Sequence, residues 1–395
     1  MLDRITRGDV PPRPHTVVKS ADGSVLYEEC LTRDGFDGPF SILYHRHRPH
    51  EALPTDGGTH GFRTPPAAPS DDGGLLRRHY RCLDLVDPGG AAVDCRIPVL
   101  YNHDVTIGFA RPTSPDPVYF VNGDADDLFF ILRGGGTLRS VLGDLRFGAG
   151  DYVSVPKGVL HRFVPDTATA QAWLSIECKK GLALPRGYRN DVGQLRMDAP
   201  YGHRDFRRPA LADPGTSDEG LREFVVKRGD RFFGFRTRHA PLDVVGWDGT
   251  VYPFALPIAA FRPRVGQLHL PPPVHATFEA GGALICSFVP RPLDFDPAAN
   301  PCPYPHTSVD VDEVLFYANG AFGSRRGVGE GSLSHHPAGI AHGPHPGAYE
   351  SAPGQTRTDE LAVMLDCAAP LFATPEARAV EDGGYHASFI DDRPR

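Results

Sequence analysis

His306, Glu313 and His342 can each give one donor atom to a metal ion, and each stands in a segment that would hold it in place. Glu313 opens the apolar run Glu313-Val-Leu-Phe-Tyr-Ala-Asn-Gly320, and His306 stands seven positions before it. His342 closes Pro337-Ala-Gly339-Ile-Ala-His342. Two imidazoles and one carboxylate, with no thiolate, leave coordination positions free. That donor set suits non-haem Fe(II) sites that bind both a substrate and O2. Zn(II) and Mn(II) are compatible with the same N/O donors.

The same skeleton occurs earlier in the chain. Asp127-Leu-Phe-Phe-Ile-Leu-Arg-Gly134 parallels the Glu313 segment, and Gly150 leads to Pro156-Lys-Gly158-Val-Leu-His161 as Gly331 leads to His342. This is an internal duplication. Phe120 occupies the position of His306, so the first copy, with Asn122, Asp127 and His161, is expected to be structural. Around the complete copy lie further candidates. His336 precedes His342 on the same block and could point into the cavity to orient a substrate group, whereas His335 beside it is expected to face solvent. His269 and His275 flank the proline run Pro271-Pro-Pro273, and a neutral imidazole is a suitable base for a phenolic proton, His275 being preferred. Arg291 or Arg325 could grip a substrate carboxylate, and Tyr304 and Tyr317 could donate phenolic hydrogen bonds.

The elements that must position these residues are strands. With 44 Gly and 40 Pro in 395 residues, long helices are not expected. Strands are expected at Phe40–Tyr44, Val118–Val121, Leu128–Leu132, Tyr152–Val155, Trp173–Ile176, Arg231–Phe235, Leu284–Val289 and Leu361–Leu365, where β-branched and aromatic residues concentrate. Residues 52–76 and 185–220 read as irregular loops. The length favours two β-sandwich units, a large N-terminal one over 1–250 and a C-terminal one over 251–395 that holds the whole proposed site. A net charge of −8 without a basic block argues against nucleic acid as a partner. The seven cysteines contain no CxxC pair and read as reduced thiols. No apolar stretch reaches the length of a membrane span and the first residues lack a signal-like run, so a cytoplasmic protein is expected.

The two-part spacing resembles that of the cupins, small double-sheet jelly rolls. In that pattern a second His would fall on Ser308, which leaves three ligands. At a finer level the chain resembles the homogentisate 1,2-dioxygenase family in its compact bacterial form. The segments that carry this are Tyr44-His-Arg-His47, Pro271-Pro-Pro-Val-His275, Phe288-Val-Pro-Arg291, Pro303-Tyr-Pro-His306, Asp312-Glu313, Ser324-Arg-Arg-Gly327, His336-Pro-Ala-Gly-Ile-Ala-His-Gly-Pro344 and Asp382-Gly-Gly-Tyr-His386. The resemblance implies an Fe(II) enzyme that opens the ring of homogentisate with O2 to give maleylacetoacetate, acting as a homo-oligomer. It places the iron ligands on His306, Glu313 and His342, a substrate-facing His on His336 and the catalytic His on His275. A family Tyr near the substrate falls on Phe322, so a related hydroxylated aromatic acid or a secondary-metabolite phenol is the alternative substrate. The competing chemistries on the same scaffold are a Zn(II) or Mn(II) isomerase or hydrolase and a non-catalytic binding cupin.

Overall fold

The computed structural model describes residues 2–56, 60–67, 74–86, 89–212, 218–320 and 322–390. It is mostly β, and its α-helices, Ala348–Ser351 and Pro375–Ala379, are single turns. No helix is long and apolar enough to cross a membrane among the described residues. The first seven-stranded sheet runs Gly143–Gly148, Gly135–Ser140, His161–Pro165, Tyr119–Asn122, Glu223–Arg228, Arg231–Thr237, Ala52–Pro54. The second, also seven-stranded, runs Phe254–Pro257, Asp151–Val155, Asp126–Arg133, Ala172–Cys178, Val105–Ala110, Ile97–Tyr101, Phe372–Ala373. A third of seven strands runs Leu182–Ala183, Ala276–Ala280, Ala283–Phe288, Ala362–Cys367, Asp312–Tyr317, Ser332–His336, Arg78–Arg81.

Side chains alternate across the third sheet with the period of two that strands impose. Val314, Phe316, Leu333, Val363 and Leu365 join the main core. Phe316 meets Phe109 and Phe130 of the second sheet at 6.0 and 6.4 Å between ring centroids. Leu315, Tyr317, Ala362 and Met364 point to the opposite face and form a second, smaller core with Phe322. The third sheet is thus anchored through one face and free to line a cavity with the other.

The duplication is visible in the pairing. Val155 lies opposite Asp127 and Asp127 opposite Glu177; at the corresponding places His336 lies opposite Glu313 and Glu313 opposite Asp366. The turn glycines match too: Gly158 and Gly339 have φ of 86° and 83°, a left-handed conformation that a side chain would strain. Two strands exchange between the halves, because Arg78–Arg81 closes the edge of the third sheet and Phe372–Ala373 the edge of the second. Phe254–Pro257, just past residue 250, pairs with Asp151–Val155 of the second sheet.

The eight strand expectations all fall on observed strands, with ends shifted by one or two residues. The expected loop over 52–76 needs correction at its start, since Ala52–Pro54 pairs with Phe235–Thr237. A proline is tolerated there because the strand lies at the sheet edge. Residues 57–59 and 68–73 of that loop, and 213–217 of the second, lie outside the described residues.

A four-stranded sheet of Ile5–Gly8, Val244–Gly249, Phe40–His45 and Tyr27–Thr32 flanks the sandwich. His45 in it is buried, with Nδ1 2.7 Å from Asp243 and Nε2 2.9 Å from Glu29. Burial opposes its charge, but the two carboxylates outweigh burial and raise its pKa from 6.5 to about 9. A raised folded-state pKa gives stability that is fully present below the unfolded value and lost as pH rises through the folded one. Urea denaturation is therefore expected to show stability falling by up to about 3 kcal/mol between pH 6.5 and 9. His45→Gln should flatten that slope.

Candidate metal centre and cavity

Strand Asp312–Tyr317 carries Glu313, and the hairpin pairing with Ser332–His336 sets His336 directly opposite. His306 and His342 are joined by reciprocal backbone hydrogen bonds of 2.8 Å in each direction, which fixes their rings 4.3 Å apart. One donor atom from each of His306, Glu313 and His342 lies within 4.8 Å of the others. His306 Nε2 and His342 Nε2 stand 3.8 and 3.6 Å from the Glu313 carboxylate. Their Nδ1 atoms lie near backbone carbonyls two residues upstream, Tyr304 at 3.4 Å and Ile340 at 3.1 Å. With Nδ1–H donated there, both Nε2 lone pairs point toward the carboxylate, which is the tautomer a metal ligand needs.

Two observations test whether these residues suit a cation. His342 Nε2 is buried without a hydrogen-bond partner. Among the described residues no lysine or arginine is ion-paired with Glu313 or with Asp366 beside it. Burial and the adjacent Glu313 push Asp366 up to about 6. Burial also opposes ionisation of Glu313, yet His306, His336 and His342 hold its carboxyl well below the usual range. The first copy solves the same problem with protein cations. Lys227 Nζ lies 2.7 Å from both oxygens of Glu177, and Arg96 reaches Asp127 at 3.4 Å while covering the Phe120 ring at 5.4 Å. A divalent cation at His306, Glu313 and His342 would meet in the second copy the charge that Arg96 and Lys227 meet in the first.

Lys227 is only 3% exposed, and removing its charge leaves the partly buried Glu177 carboxylate without that cation and with Asn122 Nδ2 at 3.0 Å as a neutral donor. Lys227→Met is expected to destabilise the protein by about 1–3 kcal/mol, read as a drop in unfolding midpoint, while bound metal per chain stays unchanged.

Beside the three donors lies a cavity of about 350 Å³. It is lined by His306 and Glu313 together with His269, His275, Arg291, Tyr304, Phe322 and Arg325. Eight of the eleven residues singled out from the sequence therefore meet at one cavity wall, and His342 completes the donor cluster beneath. Leu315, Phe288 and Met364 give the cavity an apolar side fit for an aromatic ring. His275 is buried against Phe288, 4.8 Å between rings, and its Nδ1 has no hydrogen-bond partner. Burial, with Arg291 and His269 nearby, lowers its pKa to about 3. His269 is less enclosed and sits edge-on to Tyr304 at 5.1 Å.

The arginines differ in what they can offer. Arg325 donates to the Gly343 carbonyl, and its Nε is buried without a partner. Arg291 donates to the Val289 carbonyl at 3.1 Å and lies 3.7 Å from Glu360, too far for a hydrogen bond. Its guanidinium rests 5.5 Å from the Phe288 ring centre.

Tyr317 and His336 do not line the cavity. Tyr317 is fully buried, bonded to Ser334 at 3.0 Å and edge-on to Phe322. His336 faces the Glu313 carboxylate at 2.8 Å rather than open space. His335, expected in solvent, is buried and bonded to Asp312 at 3.0 Å, because both faces of this strand are covered. Sequence reasoning gave no role to Glu360, Asp366 or Tyr385. Asp366 could have been found by pairing Glu313 with the next strand, as Asp127 pairs with Glu177; the other two carry no spacing signal.

Comparison with known proteins gives the following. A family described as homogentisate 1,2-dioxygenase N-terminal matches residues 102–258. A Saccharolobus solfataricus protein named "Putative dioxygenase" is 31% identical over 97% of this chain and 98% of its own. Homogentisate 1,2-dioxygenases of Bradyrhizobium diazoefficiens and Legionella pneumophila are 26% and 25% identical over 69% and 68% of this chain. The chain spans 61% and 64% of those two proteins. Among solved structures, E. coli Ylba is 10% identical with a TM-score of 0.31, covering 75% of this chain and 93% of that one. A cupin-2 domain protein of Shewanella frigidimarina is 18% identical with a TM-score of 0.19, covering 21% and 78%.

Proposed function

The chain belongs to the homogentisate 1,2-dioxygenase family of ring-cleaving dioxygenases, and from that premise we propose that it opens the ring of homogentisate or a closely related hydroxylated aromatic acid at an Fe(II) centre. His306, Glu313 and His342 would hold the iron. Bound there, Fe(II) supplies the site at which O2 and the substrate are brought together for oxidation. The observation that carries this reading is the three-donor cluster beside an aromatic-sized cavity, two of its donors in the wall, with His275 in the same wall and its Nδ1 unpartnered.

The protein's own groups orient the substrate and handle its protons. His275, held neutral by burial with Arg291 and His269 nearby, is placed to accept a hydrogen bond from the substrate phenol, and with a pKa lowered to about 3 it would take the proton only from a phenol made more acidic by metal coordination. Phe288, Leu315 and Met364 enclose the ring and exclude water from it. Arg291 is the cavity cation best placed to meet an acid arm, since its pairing with Glu360 is loose. Phe322 stands where the resemblance places a tyrosine, so the arm of the substrate is not held by a phenol at that position.

Oxygen uptake by anaerobically Fe(II)-loaded protein tests the proposal across homogentisate, gentisate and other hydroxylated phenylacetates. One O2 consumed per ring opened is the expected result. Full activity with Zn(II) and no O2 consumption would overturn it in favour of an isomerase or hydrolase. Iron-loaded protein inert toward every acid in the panel, yet active on a neutral phenol, would move the substrate to specialised metabolism.

A further inference from the structure

We infer that Tyr385 is a positioning residue for the metal ligand Glu313, acting through His336. The inference rests on the metal-binding reading of the site and extends it to the C-terminal turn. His336 is completely buried, so no solvent competes for its ring nitrogens. Nδ1 lies 2.8 Å from Glu313 Oε1 and Nε2 lies 3.3 Å from the Tyr385 hydroxyl.

A neutral imidazole carries one N–H, and the partner of the other nitrogen decides where it sits. Glu313 is a carboxylate and can only accept, so Nδ1 must carry the proton and Nε2 must accept from Tyr385. In the opposite tautomer two lone pairs would face each other at 2.8 Å. The Tyr385 O–H, donating to Nε2, stabilises the tautomer that Glu313 demands and holds the ring with its N–H aimed at that carboxylate. Glu313 Oε1 takes that N–H and also lies 3.6 Å from His342 Nε2, while Oε2 lies 3.8 Å from His306 Nε2, so the His336 bond fixes the plane in which the carboxylate faces both histidines.

The phenol is itself fixed. Tyr385 N–H donates to Asp382 at 3.1 Å, and Asp382 N–H donates at 2.8 Å to His79 in the strand Arg78–Arg81. That strand pairs with Ser332–His336, so the turn is tied to the sheet that carries His336. Rings of His345 and Phe389 pack edge-on to Tyr385 at 5.7 and 5.4 Å. His79 and Tyr385 come from opposite ends of the chain and meet over one ligand.

The test uses Co(II), whose visible absorption reports affinity and geometry without turnover. Tyr385→Phe keeps the ring packing and removes the hydroxyl. It is expected to weaken Co(II) binding about 10–100-fold and alter the absorption bands, while the metal-free protein, left with an unpaired buried nitrogen on His336, stays folded with a modestly lower unfolding midpoint. His336→Gln supplies an amide N–H to Glu313 that needs no tautomer. In that background Tyr385→Phe should cost no further affinity. Unchanged Co(II) binding in Tyr385→Phe, or fully additive losses in the double variant, would overturn the inference while leaving the metal site standing. A wild-type chain that takes up no Co(II) or Fe(II) would overturn the metal site and this role together.

Discussion

Glu313→Ala is expected to abolish turnover and to reduce bound metal from one ion per chain to background. The reason lies in the number of groups that converge on this one carboxylate: His306 at 3.8 Å, His342 at 3.6 Å and His336 at 2.8 Å. Without it, the two remaining imidazoles make a neutral pair, and the His336 N–H is left buried with nothing to accept it. An unsatisfied buried donor costs about 1–3 kcal/mol, so alanine should also lower the unfolding midpoint. Glu313→Gln separates the two effects. Its amide oxygen still accepts from His336, so the fold should hold, but the anionic donor is gone and metal should not bind. Metal content by elemental analysis, read beside thermal unfolding, checks both. A Glu313→Gln protein that retains iron and oxygen uptake would show that the metal lies elsewhere.

The register explains why the ligands were legible in the sequence. Strand pairing converts equal spacing in two repeats into equal cross-strand neighbours, so Asp127 with Val155 and Glu313 with His336 are the same position twice. Left-handed glycines at Gly158 and Gly339 fix the turn before each His, which is why that interval is invariant. Local chemistry of this kind leaves a mark on neighbouring residues. Long-range closure does not. Nothing near Arg78–Arg81 says that it pairs with Ser332–His336, and nothing near Tyr385 says that its hydroxyl reaches His336. His335 was misread for the same reason: its partner Asp312 is obvious only once the hairpin is formed and the far face is seen to be covered.

The two copies also differ in what faces their shielded carboxylates: among the described residues the second has a donor set that could hold a metal ion and the first does not. At equivalent places the carboxylate pairs Asp127–Glu177 and Glu313–Asp366 both need positive charge in a region shielded from water. Arg96 and Lys227 are permanent residents of the first, where Phe120 removes a ligand and His161 Nε2 is left without a partner. Both cations come from outside the repeated blocks, so the duplication alone showed the loss of a ligand but not what replaced the charge.

His275→Ala should lower kcat by about 10²–10⁴-fold while leaving metal content unchanged, because His275 lines the cavity without joining the donor cluster. The size of the effect separates His275 from His269, which sits edge-on to exposed Tyr304 and is expected to change KM more than kcat. The pH dependence gives an independent check. Burial, aided by Arg291 and His269, holds His275 at about 3, so its neutral form dominates at every pH above that value. As a base it is competent when neutral, and protonation would remove activity only as pH falls toward 3. The pH profile of kcat should therefore show no acid limb near 6.5 from this group. Arg291→Gln removes one of the cations that depress it, so any acid limb should move upward in that variant. Added imidazole should restore part of the His275→Ala rate if the missing function is proton acceptance. A His275→Ala enzyme with wild-type kcat, or one whose loss is confined to metal content, would assign the proton to another group in the cavity.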